Sequence, residues 1–350
     1  MSAARLLASE EPLARRYDVA LLDLDGVVYI GADEVPGAAA ALAAARREGM
    51  RLAFVTNNAS RPPRTVAAHL SGLGIPATPS EVITSAQAAA HYLAERLPSG
   101  SRVLVVGTTG LVEALTERGL VPVSTADDDP AAVVQGYSAD TDWRMLAEGA
   151  VAIRRGLPWI ATNLDATVPS PRGPLPGNGA LVAALQHATG VTPTATGKPD
   201  PTMHRETVER SGGRHPLVVG DRLDTDIEGA NAVGCASLLV LSGVTTAAAL
   251  LTAAETYRPG YIARDLGGLL VTHPAPVVAE GRVKCGGWTV TARRDRLHLA
   301  GSADGSADAS RDRGLDALRA LCVAAWANAV TSCVADDAAA AAALAELGLD

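Results

Sequence analysis

The sequence has few aromatic residues and no long uninterrupted apolar run. Aromatic side chains make up 3% of the 350 residues, and Phe54 is the single phenylalanine. A core must therefore be built from Ala, Val, Leu and Ile, which suits an α/β architecture of helices and buried strands. No stretch approaches the roughly 18–20 consecutive apolar residues that a membrane-spanning helix needs, so we expect a soluble protein. The 48% hydrophobic content excludes a disordered or collagen-like chain.

Cysteine, positive charge and an export signal are also scarce or missing. The four cysteines lack CxxC spacing, so the pattern predicts neither a zinc site nor a disulfide framework. Lys and Arg total 30 against 38 acids, a formal charge of −8 that would repel a polyanion. Glu10 and Glu11 stand where a signal peptide needs its apolar centre. We therefore expect a cytoplasmic protein without a nucleic-acid or membrane partner.

Apolar, strand-like runs alternate with helix-like stretches along most of the chain. The runs lie at residues 19–24, 51–56, 102–106, 133–135, 159–162, 217–219 and 237–241. Such alternation predicts an α/β fold with a doubly wound parallel sheet covered by helices. After about residue 272 the composition shifts, and the tail is predicted to form a small α+β extension. Its predicted elements are paired strands at 284–292 and 296–300, a loop at 302–310, and helices at 315–330 and 336–347.

The first chemically informative motif is an acid pair at the end of a strand. Asp23 and Asp25 flank Leu24 and precede Gly26, directly after an apolar run. Ligands of open parallel sheets bind beyond the carboxyl ends of strands, and two carboxylates there are costly unless they meet a cation or perform chemistry. Taken alone, the pattern also fits an Asp-rich turn.

Two further motifs offer uncharged donors and a lysine. Thr56, Asn57 and Asn58 end another buried-type strand, and short hydroxyl and amide groups of this kind suit phosphate oxygens. In the segment Gly197-Lys198-Pro199, rigid flanking residues present one lysine, a point-charge phosphate binder. Taken singly, these motifs also fit a polar strand cap and a solvated lysine in a turn.

The fourth motif is an acid cluster after a third strand. Residues 217–219 lead into Gly220 and Asp221, and further acids follow up to Asp226. Hard oxygen ligands of this kind suit Mg²⁺. A calcium-binding EF-hand loop counted from Asp221 fails, because Asp226 stands where glycine is required and Ala232 where glutamate is required.

Together the four motifs resemble those of the haloacid dehalogenase superfamily of phosphohydrolases. The stretches DLDGVVY, FVTNN, GKP and GDRLDTDI are similar to the subgroup with a large cap inserted between the second and third motifs. The resemblance covers roughly residues 18–272, and its nearest likeness is to the actinobacterial glycerol-3-phosphate phosphatases, which carry a similar C-terminal extension. It implies a catalytic core of residues 1–87 and 188–272, an inserted α/β cap of residues 88–187, and an extension of residues 280–350.

The resemblance also implies roles for the acids. Asp23 is expected to attack phosphorus and form an aspartyl phosphate, and Asp25 to act as general acid and base. Mg²⁺ is the expected cofactor, held by the side chains of Asp23 and Asp221 and the backbone carbonyl of Asp25. Asp226 is expected to orient a metal-bound water or Lys198.

The substrate implied is a small phosphomonoester, with glycerol 3-phosphate foremost. The groups expected to hold its phosphate belong to Thr56, Asn57, Asn58 and Lys198, with Asn57 acting through its backbone. Pyridoxal phosphate, sugar phosphates and nucleoside monophosphates stay open as substrates. Loops carrying Asn163, Asp165 and Arg172 are candidates for facing the substrate.

Other functions are less well matched by the residues. A dehalogenase would need neither Asp25 nor Asp221, a phosphotransferase would differ only in its acceptor, and a phospho-ligand sensor would not need all four motifs intact. Residues 105–110 lack the Gly-Lys-Ser/Thr ending of a P-loop, which favours an ordinary strand-to-helix turn.

The tail faintly resembles part of an acetyltransferase. Arg311 and Gly314 match the acetyl-coenzyme A loop pattern, but Asp316 stands where glycine or alanine belongs. A structural or oligomerisation role is therefore favoured for the extension, and a homo-oligomer is possible.

Overall fold

A computed structural model describes residues 6–168, 172–301 and 312–350. The predicted loop at 302–310 and Arg311 lie outside the described residues. The strands are β1 Val19–Leu22, β2 Tyr29–Ile30, β3 Asp33–Glu34, β4 Arg51–Thr56, β5 Val82–Thr84, β6 Arg102–Val106, β7 Val121–Val123, β8 Ala132–Gln135, β9 Trp159–Ala161, β10 Thr167–Val168, β11 Leu175–Pro176, β12 Thr194–Ala195, β13 Pro216–Gly220, β14 Ala236–Val240, β15 Tyr261–Ala263, β16 Val277–Ala279, β17 Arg282–Cys285, β18 Trp288–Arg293, β19 Arg296–Gly301 and β20 Cys333–Ala335.

Helices separate most of these strands. They are α1 Leu13–Arg16, α2 Ala38–Arg47, α3 Pro63–Gly72, α4 Ser85–Ala94, α5 Thr109–Glu117, α6 Trp143–Arg154, α7 Asn178–Thr189, α8 Pro201–Ser211, α9 Glu228–Val233, α10 Ala247–Leu251, α11 Arg313–Asn328 and α12 Ala338–Leu347. Among the described residues, none of these helices has the length and apolarity required to cross a membrane.

The described residues group into two compact units. Unit 1 takes its residues from Met1–Val28, Glu34–Arg51 and Arg214–Asp350, and unit 2 from Tyr29–Asp33 and Leu52–Gly213. Both units contain parallel strands connected through helices, which confirms the predicted α/β class. The predicted boundaries at 87/88 and 187/188 stay predictions.

Four strands of unit 1 lie side by side in the order β15-β14-β13-β1, and every pair is parallel. Leu21 pairs with Val218 and Leu22 with Val219, so β1 and β13 end at the same edge. All four residues of β1 are buried, as expected for a parallel strand covered on both faces. The polar motifs that follow β1 and β13 therefore start at one edge of the sheet.

Unit 2 contains a five-stranded sheet in the order β12-β9-β8-β6-β7, again parallel throughout. Its two faces are covered by separate apolar clusters. Ala132 and Val134 of β8 belong to one cluster and Val133 to the other. The turn between β6 and α5 is a strand-to-helix connection, as predicted for residues 105–110.

The C-terminal extension is a mixed sheet with two helices, which confirms the predicted α+β character. Its strand order is β16-β17-β18-β19-β20, antiparallel except for the parallel β19–β20 pair. The prediction of a single strand at 284–292 was wrong. Gly286 (φ 54°) turns the chain and divides that stretch between β17 and β18. Glycine adopts this left-handed conformation without steric cost.

The extension shares its apolar core with the parallel sheet of unit 1. Leu318 and Leu321 of α11 belong to the same buried cluster as Leu239, Leu250 and Ile262. The Trp326 indole also donates to the carbonyl oxygen of Leu250 at 3.0 Å. These contacts agree with a structural role for the extension, which stays a prediction.

His273 is a buried histidine whose surroundings favour the neutral ring. It is 2% exposed, packs edge-on against Tyr261 and donates its Nε2–H to the carbonyl oxygen of Gly268 at 2.8 Å. Burial lowers the pKa of His273 to about 4, against the opposing effect of the Gly268 hydrogen bond, and the Arg319 charge lowers it further. Protonating this ring inside the core is therefore costly.

We expect His273 to make the protein less stable in mild acid. Below pH 6.5 the unfolded chain binds a proton at this position before the folded chain does, so the free energy of unfolding falls until about pH 4. The full effect is about 3 kcal/mol, because each pKa unit corresponds to about 1.36 kcal/mol. Urea unfolding between pH 7 and 4 should show a smaller loss for His273→Gln than for the wild type. The exposed His187 provides the matched control, His187→Gln; equal pH dependence in all three proteins would contradict the prediction.

Candidate active site

Three carboxylates converge at the edge where β1 and β13 end. Oxygen atoms of Asp23, Asp221 and Asp226 lie within 4.8 Å of one another, and within the described residues this is the one such grouping of three metal-ligating side chains. Asp221 is fully buried, Asp226 is 1% exposed and Asp23 is half-buried. Because like charges this close repel, the group is suited to holding a divalent cation with hard oxygen ligands.

The strand ends fix the position of Asp23. Its backbone N–H donates to the carbonyl oxygen of Val219 at 2.9 Å, which continues the β1–β13 pairing past the end of β1. Leu24 is completely buried, whereas Asp23 and Asp25 are half-buried on either side of it. This alternation anchors the segment in the core while both carboxylates stay accessible.

Two glycines leave room for the Asp221 carboxylate. A Cβ at Gly26 would lie 2.7 Å from Asp221 Oδ2, and a Cβ at Gly243 only 2.0 Å from it. The backbone N–H of Val244 donates to Asp221 Oδ2 at 2.6 Å, and the Ser242 hydroxyl donates to the Gly26 carbonyl oxygen at 2.7 Å. The loop after β14 thus shapes the acid cluster, a contribution that the four motifs do not indicate. A Ser-Gly pair directly after an apolar strand was the available signal.

A π-helical turn, Leu223–Ile227, brings Asp226 back towards the end of β13. Asp226 Oδ2 accepts the backbone N–H of Arg222 at 3.2 Å. A Cβ at Gly220 would lie 2.2 Å from the Asp226 Cβ, so only glycine allows this approach. Asp224 of the same motif is instead exposed and forms an ion pair with Arg222 at 2.8 Å.

In unit 2, the Asn57 side chain forms hydrogen bonds with both the backbone N–H and the backbone carbonyl of Lys198. Its Oδ1 accepts the Lys198 N–H at 2.9 Å, and its Nδ2 donates to the Lys198 carbonyl oxygen at 3.1 Å. Lys198 is 3% exposed and its Nζ donates to the carbonyl oxygen of Val55 at 3.3 Å. A Cβ at Gly197 would lie 2.7 Å from Asn57 Oδ1, so this pairing needs glycine there. The structure therefore brings the second and third motifs together.

The segment around Asn163 holds Asn57 from the other side. Asn163 Nδ2 donates to the Asn57 carbonyl oxygen at 2.7 Å, and the Asp165 carboxylate accepts Asn57 Nδ2 at 3.1 and 3.3 Å. Asn163 is 4% exposed, and its side-chain amide forms this hydrogen bond in the interior. Arg172, in contrast, lies on the surface. Asn57 is thus a bridge between two loops, a contact that the sequence did not reveal.

Thr56 and Asn58 organise the start of the loop after β4. Thr56 Oγ1 accepts the backbone N–H of Asn58 at 3.1 Å. Asn58 Oδ1 accepts both the N–H and the hydroxyl of Ser60, at 2.8 and 2.7 Å. These short-range bonds hold the polar side chains of the second motif in a defined turn.

Comparisons with protein families agree with this arrangement. Residues 20–121 match the model of a haloacid dehalogenase-like hydrolase, and residues 195–269 match a HAD-hydrolase-like model. Residues 285–349 match the model of a GCN5-related N-acetyltransferase like domain. The first two models cover the four motifs, and the third covers the extension.

Individual relatives extend the similarity to nearly the whole chain. A D-glycerol 3-phosphate phosphatase of Mycobacterium tuberculosis is 46% identical over 314 residues, which are 90% of this chain and 87% of the relative. An acid sugar phosphatase of Staphylococcus aureus is 38% identical over 234 residues, 66% of this chain and 89% of the relative. The crystal structure of a glycerol phosphate phosphatase of M. tuberculosis in complex with magnesium has a TM-score of 0.89 at 44% identity and covers 98% of this chain and 100% of its own. The chain therefore belongs to the haloacid dehalogenase-like hydrolases and is a phosphatase of that family.

Proposed function

We propose that this phosphatase hydrolyses glycerol 3-phosphate with the help of Mg²⁺. The observation that carries the substrate assignment is the 46% identity with the D-glycerol 3-phosphate phosphatase over 90% of the chain. That match runs beyond the 234 residues shared with the acid sugar phosphatase. The longer and closer match favours glycerol 3-phosphate over a sugar phosphate.

The acid cluster fits the proposed metal ion. Asp23 and Asp221 would hold Mg²⁺ through their carboxylates, and Asp25 through its backbone carbonyl. Their oxygen donors are those that Mg²⁺ prefers, and the clustered carboxylates need a positive charge to offset their repulsion. When bound, Mg²⁺ offsets the negative charge of the phosphate oxygens, so that a carboxylate can approach phosphorus.

In the proposed reaction, Asp23 acts as the nucleophile. Its carboxylate oxygen forms a bond to phosphorus while the bond from phosphorus to the glycerol oxygen breaks, which leaves an aspartyl phosphate. Asp25 donates a proton to the departing alkoxide. Asp25 then accepts a proton from the water that attacks phosphorus, and inorganic phosphate and free Asp23 result.

Uncharged donors and one cation are proposed to hold the transferred group. Thr56, Asn58 and Lys198 would contact its oxygens, and Asn57 would contribute its backbone N–H. The side-chain bonds from Asn57 to the Lys198 backbone support this division, because they leave Asn57 a role in positioning. Asp226 is proposed to orient a metal-bound water or Lys198.

A panel of phosphomonoesters tests the function. Phosphate release should be measured for glycerol 3-phosphate, sugar phosphates, pyridoxal phosphate and nucleoside monophosphates. We expect kcat/KM for glycerol 3-phosphate to exceed the others by about tenfold or more, a difference of about 1.4 kcal/mol in transition-state binding. A flat profile would refute the substrate assignment. A sugar phosphate with the highest kcat/KM would instead favour sugar phosphates as the substrate class.

The same assay tests the metal requirement. Chelation with EDTA should stop phosphate release, since the carboxylate cluster and the substrate would then repel each other, and excess Mg²⁺ should restore it. Added Na⁺ at equal ionic strength is the control. Turnover that persists after chelation would contradict the proposed mechanism.

A further inference from the structure

The five-stranded sheet of unit 2 has a topological switch point. β6 comes first in the chain, β7 lies on one side of it, and β8, β9 and β12 follow on the other. The connections on either side of the β6–β8 pair therefore leave in opposite directions. In open α/β sheets, such a point opens a crevice at the carboxyl ends of the strands, where ligands bind.

Here the crevice is occupied by the chain itself. Gly136 follows the end of β8, and a Cβ built there would lie 3.0 Å from the Cβ of Ala59. A Cβ at Gly110 would lie 2.3 Å from the Ala59 carbonyl oxygen. Thr108 Oγ1 donates to the carbonyl oxygen of Ser60 at 3.0 Å. Residues 59 and 60 thus lie directly on the two connections that leave the switch point.

The occupying residues are packed into the interior. Ala59 is 1% exposed and shares an apolar cluster with Leu111, Ala132 and Val134. An ordinary surface loop is more exposed than this. The close approach depends on the absence of side chains at the two glycines. The opposing loop atom is the backbone carbonyl oxygen of Ala59 at Gly110 and the Ala59 Cβ at Gly136, and neither can rotate away.

The same loop carries the polar groups of the second motif. Asn58 immediately precedes Ala59, and its Oδ1 accepts two hydrogen bonds from Ser60. The orientation of the Asn58 side chain is therefore tied to the location of Ser60. A shift of residues 59 and 60 would move Asn58 and, through it, Thr56.

We infer that the crevice at the switch point of this sheet holds residues 59 and 60 in place. Gly110 and Gly136 are then positioning residues for the phosphate-binding loop. The inference rests on the proposed binding of phosphate by Thr56 and Asn58. It adds a structural dependence that the motifs do not show. The five-stranded sheet of unit 2 sets the geometry of a loop that precedes it in the chain. A displacement of about 1 Å in such a group costs on the order of 10²-fold in rate.

The main test is Gly110→Ala. The added methyl group must displace the Ala59 carbonyl oxygen, so kcat/KM should fall about 10- to 100-fold and the inhibition constant for inorganic phosphate should rise. Gly72→Ala is the matched control, because Gly72 also lies in a helix of unit 2 but has open space at its Cβ. By helix propensity alone, both substitutions would be neutral or stabilising. A folded Gly110→Ala enzyme with wild-type kinetics and phosphate inhibition would overturn the inference.

A second pair of variants, Gly136→Ala alone and combined with Ala59→Gly, makes the test independent of whether Gly110→Ala folds. Gly136→Ala should weaken phosphate inhibition. The added Cβ would lie 3.0 Å from both Ala59 Cβ and Leu111 Cδ1 and 3.1 Å from Thr162 Oγ1, and the last two are ends of side chains that can rotate. Adding Ala59→Gly removes the contact with the loop and should restore the inhibition in part. A merely structural defect would lower kcat by reducing the active fraction without changing the phosphate inhibition constant. Wild-type inhibition in Gly136→Ala, or no recovery in the double variant, would overturn the inference.

Asn58→Ala separates this inference from the proposed function. If Asn58→Ala weakens phosphate inhibition but the folded glycine variants do not, the positioning role of Gly110 and Gly136 is refuted, and the phosphate-binding role of Asn58 stands. If Asn58→Ala has no effect on phosphate inhibition or turnover, the role proposed for Asn58 fails, and with it the inference.

Discussion

Replacing Asp23 by asparagine is expected to reduce turnover by at least about 10⁴-fold, as removal of a nucleophile does in other covalent enzymes. The neutral amide is a poor nucleophile towards phosphorus. It also removes one of the three charges that lie within 4.8 Å of one another. Phosphate release under saturating substrate and Mg²⁺ measures the loss.

Asp224→Asn is the matched control for this experiment. Asp224 belongs to the same acidic motif as Asp221 but is exposed and paired with Arg222. It should therefore keep near wild-type activity. Mass spectrometry of acid-quenched wild-type enzyme should locate the phosphoryl group on Asp23. A phosphoryl group elsewhere, or more than about 1% of turnover in Asp23→Asn, would rule out Asp23 as the nucleophile.

Asp25→Asn is expected to lower turnover of glycerol 3-phosphate by about 10²- to 10⁴-fold, the usual contribution of general acid–base catalysis. Metal binding should persist, because the proposed contact uses the backbone carbonyl of residue 25. Titration calorimetry with Mg²⁺ and steady-state kinetics would measure the two properties separately.

The leaving group gives Asp25→Asn a distinctive signature. p-Nitrophenol leaves without needing a proton, so formation of the phosphoenzyme from p-nitrophenyl phosphate should be nearly normal. Its hydrolysis should be slow, because the water has lost its base, and a burst of p-nitrophenol should precede slow turnover. An unchanged rate with glycerol 3-phosphate would remove Asp25 from acid–base catalysis. Equal losses in the phosphorylation step for both substrates would remove it as the acid.

The sequence was informative where polar residues follow buried parallel strands. Strands of this kind are apolar runs, and their ends can be read directly, as at β1 and β13. The acids after those strands were therefore located before the structure. The expectation that Asp23 and Asp221 act together came from the resemblance to the haloacid dehalogenase superfamily, since strand ends locate a ligand site but do not show which strands are neighbours.

Contacts that depend on distant loops were not predictable. Nothing near Asp221 in the sequence indicates that Val244 would donate to it, and nothing near Asn57 indicates that it would bind the backbone of Lys198, 141 residues away. Such bonds depend on tertiary packing, for which the local pattern has no signal. Gly110 likewise fits an ordinary turn until the position of Ala59 is known.

A local signal was missed in the extension. The Gly-Gly pair at 286 and 287 is typical of a tight hairpin between two short strands. The prediction nevertheless placed one continuous strand at 284–292. The correct division into β17 and β18 was therefore available from the sequence.

The position of Arg319 bears on the outer edge of the parallel sheet in unit 1. β15 is the outermost strand of its sheet on that side, and its Ala263 carbonyl oxygen faces inward to Leu241. The preceding carbonyl oxygen, that of Ile262, accepts Arg319 Nη2 at 2.8 Å, and the Asp316 carboxylate holds the same guanidinium at 2.7 Å. An outer strand with free carbonyl groups is a template for a strand of another molecule. Helix α11 therefore covers an outward-facing carbonyl group of this outer strand. Loss of Arg319 would leave both that carbonyl oxygen and the buried Asp316 carboxylate without this partner, which is costly in the interior.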